Sequence, residues 1–220
     1  MYFGDHPFRE GGRWGLHFDG QFRRQGIGQK WQQLLLRPGV NFDLNDNVQI
    51  SGGYVFVNSY RYGDYPAQFN TPSHALWQQL ILKQKAGKVG VTHRYRVEQR
   101  FLGVKVENEA GEGELDGYKY RNRFRYFVKG VVPLKKAADG GNKNYIGLYN
   151  EIFVNFGGGV TTIFDQNRSY AALGFRLSKK TNLEVGYMLQ TLQQGNGRVL
   201  EFNHTFQLGI FSSAPFGWGD

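Results

Sequence analysis

The strongest constraint on the fold is an alternation of apolar and polar residues that continues along nearly the whole chain. In HRYRVEQRF, residues 93–101, Tyr95, Val97 and Phe101 share one parity while charged side chains occupy the other. The stretch YKYRNRFRYFVK, residues 118–129, repeats this pattern. Successive side chains of a β-strand point to opposite faces, so a period of two predicts strands with one apolar face and one charged face.

The same reading applied to the whole chain predicts ten strands. They cover about 13–23, 31–44, 48–59, 75–85, 89–101, 118–132, 144–156, 166–177, 182–190 and 199–211. The connections alternate between generally shorter turns and longer loops, which antiparallel strands place at opposite ends, with both termini at the short-turn end. This layout predicts an all-β, up-and-down antiparallel barrel that forms one domain over residues 1–220.

The polar residue types decide which face of the barrel wall points inward. Lysines gather towards the short turns, whereas most arginines lie within strands together with carboxylates. The planar guanidinium group stays charged and can hold carboxylates bidentately, so it suits enclosed ion pairs. We therefore expect a polar network in the lumen, formed by Arg37, Arg94, Arg96, Glu98, Arg100, Arg121, Arg123, Arg125, Glu151, Arg168, Arg176, Glu184 and Glu201.

If the charged face lines the lumen, the apolar face points outward, as it does in outer-membrane barrels. A strand needs about 9–11 tilted residues to cross a bilayer, and most of the predicted strands reach that length. Aromatic residues near predicted strand ends would form interfacial girdles. This set contains Trp14, Trp31, Tyr60, Trp77, Phe101, Tyr118 and Phe156. The sequence shows no leader segment, which fits a mature form of a transmembrane barrel.

Several stretches carry a resemblance to a known family. RWGLHFDGQFRR, QQLLLRPGVNF, HRYRVEQRF, YRNRFRYFV, NEIFVNFG, FDQNRSYAALGFRL and NLEVGYMLQ together resemble the bacterial family catalogued as domain of unknown function 2490. The resemblance runs from about Trp14 to Phe211. It implies a Gram-negative outer-membrane address, with the lipid bilayer, lipopolysaccharide and other envelope proteins as partners. It implies no activity.

Two functions are compatible with such a barrel. The first is a structural or accessory envelope protein whose lumen is largely filled by the arginine–carboxylate network. The second is a narrow, porin-like channel that favours small anions. Barrels of about eight strands are filled by side chains, whereas those of about sixteen leave aqueous channels, so ten strands favour the filled lumen.

Two further functions are weaker alternatives. Ser73, His74 and Asp64 lie around one long loop, as in some outer-membrane hydrolases, but they match no catalytic signature, so we assign no catalytic residue. The acidic stretch at 107–117 does not have the spacing of a calcium loop, and we expect no metal and no cofactor. The net charge of +9 would suit a soluble nucleic-acid-binding barrel only if the arginines were exposed, so we expect no nucleic-acid partner.

Overall fold

Eleven β-strands make up the described part of the chain. The computed structural model describes residues 1–26, 28–62, 67–195 and 197–216. The strands are β1 (Tyr2–Pro7), β2 (Trp14–Gln25), β3 (Lys30–Asn45), β4 (Val48–Ser59), β5 (Thr71–Ala86), β6 (Val89–Glu107), β7 (Gly113–Lys136), β8 (Asn142–Phe156), β9 (Phe164–Ser178), β10 (Thr181–Gln193) and β11 (Leu200–Ser212). Within these described ranges, no helix is long and apolar enough to cross a membrane.

The strands form one closed barrel. Each strand from β1 to β11 pairs antiparallel with the next strand of the chain. The ring closes where β1 pairs parallel with β11, with Tyr2 opposite Ile210. The all-β barrel is therefore confirmed, and one parallel pair interrupts the predicted antiparallel order.

The described ranges hold eleven strands, one more than the ten counted from the sequence, because β1 was not recognised. Its sequence, YFGDHP, is only 6 residues long and lacks the alternation that marks the other strands. Tyr2 lies opposite Gly20 in the middle of β2, and the amino group of Met1 donates to the carbonyl oxygen of Leu208 at 2.8 Å. Met1 therefore lies part-way along the wall, and only β11 ends at the short-turn end as expected.

The hairpin formed by β6 and β7 is longer than predicted. The expected loop at 102–117 shrinks to 108–112, and pairing with β8 begins only at Asn122, opposite Phe156. The hairpin therefore projects beyond β8 at the long-loop end. Its Gly- and Glu-rich sequence is typical of a loop, but the ladder continues past a bulge between Val104 and Lys105.

The wall is apolar outside and polar inside, as the charge pattern predicted. On the outer face, Phe206 is 90% exposed and Leu208 is 58% exposed. On the inner face, Arg96, Glu98 and Glu184 are each only 1% exposed. Water-soluble proteins bury apolar residues and almost never bury lysine, arginine or carboxylates completely unless these are paired. The arrangement here is therefore inverted relative to a water-soluble barrel.

Trp77 lies inside the barrel, so the prediction that it belongs to an outer girdle is wrong. Its position on β5 alternates with that of Leu76, which is exposed, and Trp77 is 0% exposed. The indole covers Gly39 and Gly53, where any Cβ atom would clash with Trp77 or with the opposing backbone. Its Nε1 donates to the carbonyl oxygen of Tyr54 at 3.1 Å. The glycines therefore make room for the largest side chain of the interior.

We predict that Trp77→Ala destabilises the barrel strongly. Replacing a buried aromatic side chain with alanine typically costs about 3–5 kcal/mol, through lost contacts and the cavity left behind. The measurement is equilibrium unfolding followed by near-ultraviolet circular dichroism. Trp14→Ala is the matched control, because Trp14 is 55% exposed on the outer face, and its loss should cost clearly less. Equal losses of unfolding free energy in the two variants would contradict the internal position of Trp77.

Candidate functional site

The carboxylate of Glu98 is the centre of the charged interior. Its Oε2 accepts hydrogen bonds from Arg123 Nε at 2.9 Å and from Arg123 Nη2 at 2.6 Å. Its Oε1 accepts from Arg125 Nη1 at 2.7 Å, and Arg37 Nη2 lies 3.7 Å away. Three guanidinium groups from β3 and β7 therefore surround one carboxylate on β6. The register explains this cluster, because Glu98 lies directly opposite Arg123.

A second carboxylate, that of Glu151 on β8, extends the cluster. Its Oε1 accepts from Arg94 Nη2 at 2.7 Å and from Arg125 Nη2 at 2.7 Å. Arg125 thus bridges Glu98 and Glu151 and is itself 5% exposed. Charge-assisted hydrogen bonds of this kind are about twice as strong as neutral ones, and they satisfy charges that water does not reach.

Two aspartates complete what we call the ionic layer, which consists of Asp19, Arg37, Arg94, Glu98, Arg123, Arg125, Glu151 and Asp165. Arg37 Nη1 donates to Asp19 Oδ2, and Arg123 Nη1 donates to Asp165 Oδ2 at 2.9 Å. The Asp165 side chain therefore points into the lumen instead of only shaping the loop before β9. The pairing of β8 with β9 shifts at this point, because Phe153 faces Gln166 while Val154 faces Phe164. This bulge allows Asp165 and the neighbouring Gln166 to face the same side.

Aromatic rings support the guanidinium groups. Arg125 lies 4.4 Å from the centroid of Phe153, Arg168 lies 4.9 Å from it, and Arg123 lies 5.2 Å from it. Arg96 stacks in the same way on Trp77 at 4.9 Å, and its Nε donates to Gln79 at 2.9 Å. Cation–π contacts are stronger where water is excluded, so these rings support both paired arginines and the two, Arg96 and Arg168, that have no carboxylate within 4.0 Å among the described residues. Phe153 could have been found from the sequence, because the alternation along β8 places it on the opposite face from Ile152 and Val154.

Seven of the predicted network residues lie outside the ionic layer, and three of these, Glu184, Arg176 and Glu201, form smaller polar groups of their own. Glu184 binds Lys129 Nζ at 2.5 Å and accepts from the Tyr145 hydroxyl at 3.0 Å. Arg176 donates to both carboxylate oxygens of Asp139, in the β7–β8 turn, at 2.6 Å each. Hydrogen bonds from Arg176 hold the pKa of Asp139 below its usual range.

The third is Glu201, which accepts from Gln194 and from Asn203 near the long-loop end. Sequence reasoning missed Lys129 as an interior residue, because lysine was expected to lie at turns. The carboxylates of the predicted network, together with Arg176, are therefore divided between one large layer and three smaller groups.

Four predicted arginines have no carboxylate within 4.0 Å in the described ranges: Arg96, Arg100, Arg121 and Arg168. Arg23 has the same property and donates instead to the side-chain oxygens of Gln21 and Gln33. The buried Nε atom of Arg168 has no acceptor. The interior therefore carries more positive charge than its described carboxylates neutralise.

Two cavities flank the ionic layer. The larger, of about 200 Å³, is lined by residues of the long-loop half such as Ser59, Ser73 and Gln190. The smaller, of about 100 Å³, is lined by residues towards the short-turn end such as Phe3 and Lys129. Both cavities touch Gln21, Arg23, Arg37, Arg125 and Arg168. Side chains at the level of the ionic layer therefore separate them.

The residues considered for hydrolysis do not come together. Ser73 and His74 are consecutive on β5, so their side chains point to opposite faces of the wall. The His74 ring lies on the outer face, where Tyr54 and Tyr118 bond to it. Asp64 lies outside the described residues. Across the ranges that are described, no group of three or more histidines or carboxylates is placed to hold a metal ion.

The fold and the site together define a class, that of closed β-barrels with an apolar outer face and an interior ionic layer. The chain belongs to the family described as Protein of unknown function (DUF2490), whose model matches residues 1–201, and this confirms the family resemblance. An uncharacterised protein of Methylorubrum extorquens is 28% identical over 191 residues, which cover 84% of this chain and 74% of that relative. No solved structure matches the chain.

We predict that Glu98→Gln lowers the stability of the barrel by about 3–5 kcal/mol, because breaking a buried ion pair leaves unpaired charge in a poorly hydrated interior. Thermal unfolding of the isolated protein measures this. Glu114→Gln is the control, since Glu114 is exposed on β7 near the long-loop end and should have little effect. A melting temperature that Glu98→Gln leaves unchanged would show that the ionic layer does not hold the barrel.

Proposed function

We propose that this protein is an integral outer-membrane β-barrel that serves as a structural or accessory component of the bacterial envelope. The observation that carries the proposal is the inverted wall, with large apolar residues exposed outside and charged residues buried inside. An apolar outer face of this extent would aggregate in water, whereas a lipid bilayer satisfies it. Lipid acyl chains and lipopolysaccharide are then its partners.

The dimensions of the wall support the same proposal. Strands β2 to β11 contain 12 to 24 residues, more than the roughly 9–11 that a tilted strand needs to cross the hydrocarbon core. The ring of strands closes through β1, where Tyr2, Phe3 and Gly4 pair with Ile210, Phe211 and Ser212, and closure is what lipid requires of a β-structure. Exposed aromatic residues stand near both ends, with Trp14 at the short-turn end and Trp31 and Tyr120 at the long-loop end.

The filled interior favours a structural role over transport. The ionic layer spans the lumen from Asp19 on β2 to Asp165 on β9, and side chains at its level separate the two cavities. We therefore expect the ionic layer to obstruct a hydrated ion along the axis. The anion-favouring channel remains the second candidate, because Arg23, Arg100 and Arg168 would attract anions if the layer opened.

The location is tested with a charge placed on the outer face. We predict that Phe206→Arg impairs insertion into lipid vesicles, because arginine near the bilayer midplane of a barrel wall costs about 2–4 kcal/mol. Phe206 is 90% exposed at the middle of β11, so the same change in a water-soluble protein would be tolerated. The measurement is the folded fraction recovered after dilution from urea into phospholipid vesicles.

Ile163→Arg is the matched control, because Ile163 is 71% exposed in the β8–β9 connection, outside the strands. It should insert like the unchanged protein. If Phe206→Arg folds as well as this control, and if the unchanged protein stays soluble without detergent, the membrane proposal is wrong. A nucleic-acid-binding barrel would then be tested by its binding to single-stranded DNA.

Conductance separates the two candidate roles. In planar bilayers we expect no steady current from inserted protein, because the ionic layer closes the lumen. Anion-selective steps that change on Arg100→Glu would instead establish the channel. Arg100 suits this test because it lines the larger cavity and makes no ion pair within 4.0 Å among the described residues.

A further inference from the structure

We infer that the long-loop half of the lumen is a binding chamber for a small, soluble organic anion with a phosphate or carboxylate group. The chamber is the cavity of about 200 Å³ above the ionic layer. This inference goes beyond the proposed structural role, and it does not depend on it, because the chamber lies within the closed wall whatever surrounds the barrel.

The chamber has an excess of positive charge. Six arginines line it: Arg23, Arg37, Arg100, Arg123, Arg125 and Arg168. Glu98 and Asp165 are the carboxylates of the lining, and Arg37, Arg123 and Arg125 already bind them. The other three guanidinium groups have no carboxylate within 4.0 Å among the described residues and are attracted to the carboxylates of the ionic layer only over longer distances. The chamber therefore holds about three positive charges without a direct counter-ion.

The uncompensated arginines are close to other cations. Arg23 and Arg168 repel each other, and Arg100 is repelled by Arg123. The Nε atom of Arg168 is buried and lacks an acceptor, and its guanidinium carbon lies 4.9 Å from the centroid of Phe153. Leaving a buried charged donor unsatisfied is costly. An oxyanion between these groups would relieve the repulsion and accept from this donor.

The donors suit an oxyanion better than a halide. Guanidinium forks pair bidentately with carboxylate and phosphate oxygens, and Arg23 is held in place by Gln21 and Gln33. Gln166 and Gln190 add amide groups to the lining. A volume of about 200 Å³ corresponds to roughly seven waters at ~30 Å³ each, which is enough for an inorganic phosphate and a short organic group.

The opposite side of the chamber is apolar. Leu35, Val55, Val57 and Ala75 line it from β3, β4 and β5. A ligand with an anionic head and a short hydrocarbon part would match both sides. The closed wall keeps the acyl chains of any lipid outside, so a phosphate attached to a membrane lipid does not reach the arginines. The ligand therefore enters as a soluble molecule from the long-loop end.

The first test measures binding of inorganic phosphate and of butyl phosphate to the whole protein in a non-ionic detergent. Isothermal titration calorimetry is performed at constant ionic strength, because added salt screens any charged site. We expect saturable binding of both probes, with butyl phosphate the tighter because it reaches the apolar side. Butylamine should not bind.

Variants assign the binding to the chamber. Arg100→Gln and Arg168→Gln should each weaken phosphate binding about tenfold or more, while Arg176→Gln should not change it. Arg176 is the matched control because it pairs with Asp139 at the other end of the barrel. Arg100→Lys keeps the charge but loses the fork, so it should bind with intermediate affinity.

The melting temperature also distinguishes a binding site from a purely structural role of Arg168, because the two predict changes of opposite sign. Without phosphate, Arg168→Gln should raise the melting temperature, because it removes an uncompensated cation; with phosphate present, the unchanged protein should be the more stable of the two. Absence of saturable binding, equal weakening by Arg176→Gln, or a lowered melting temperature without phosphate would each overturn the inference. Stabilisation by phosphatidylglycerol vesicles but not by free phosphate would also overturn it, in favour of a lipid headgroup.

Discussion

The pairing of the Glu98 carboxylate with Arg37, Arg123 and Arg125 is the interaction on which the rest of the structure depends. A closed wall of eleven strands encloses a space that water reaches poorly, and charges placed there must find partners within the wall itself. Glu98 links strands β3, β6 and β7, and β3 is not a neighbour of β6 or β7 in the barrel. The ionic layer therefore crosses the barrel and ties opposite sides of the wall together.

Aromatic side chains packed against glycines fill part of the interior that the ionic layer does not occupy. Trp77 covers Gly39 and Gly53, and Tyr145 covers Gly174, where an added Cβ would overlap the ring. Because glycine lacks a side chain, the backbone and the ring can approach closely. Packing and ion pairing thus act together, since the rings of Trp77 and Phe153 also support arginines. The interior is largely closed by this combination, and the excess of positive charge collects above it.

The parts of the site that could be predicted are those whose position follows from alternation alone. Glu98, Arg123, Arg125 and Glu151 share the inner face because each lies on the polar parity of a regular strand. Asp165 could not be predicted, because a bulge in β9 changes its parity locally. Trp77 was assigned to the outer girdle because of its residue type, although its position in the alternation of β5 pointed inward.

The sequence by itself determined that the chain forms long strands with an apolar face and a charged face, and that the charges lie inside. The strands and their two faces follow from a period of two, which is a local property of the backbone. The inward direction of the charges follows from the arginine and carboxylate composition of the polar face. Only the tertiary structure decided that β1 closes the barrel in parallel with β11. It also decided which arginines find a carboxylate, leaving Arg23, Arg100 and Arg168 without one among the described residues. Pairing across a barrel depends on register and side-chain reach between distant strands, and neither is encoded in the spacing along one strand.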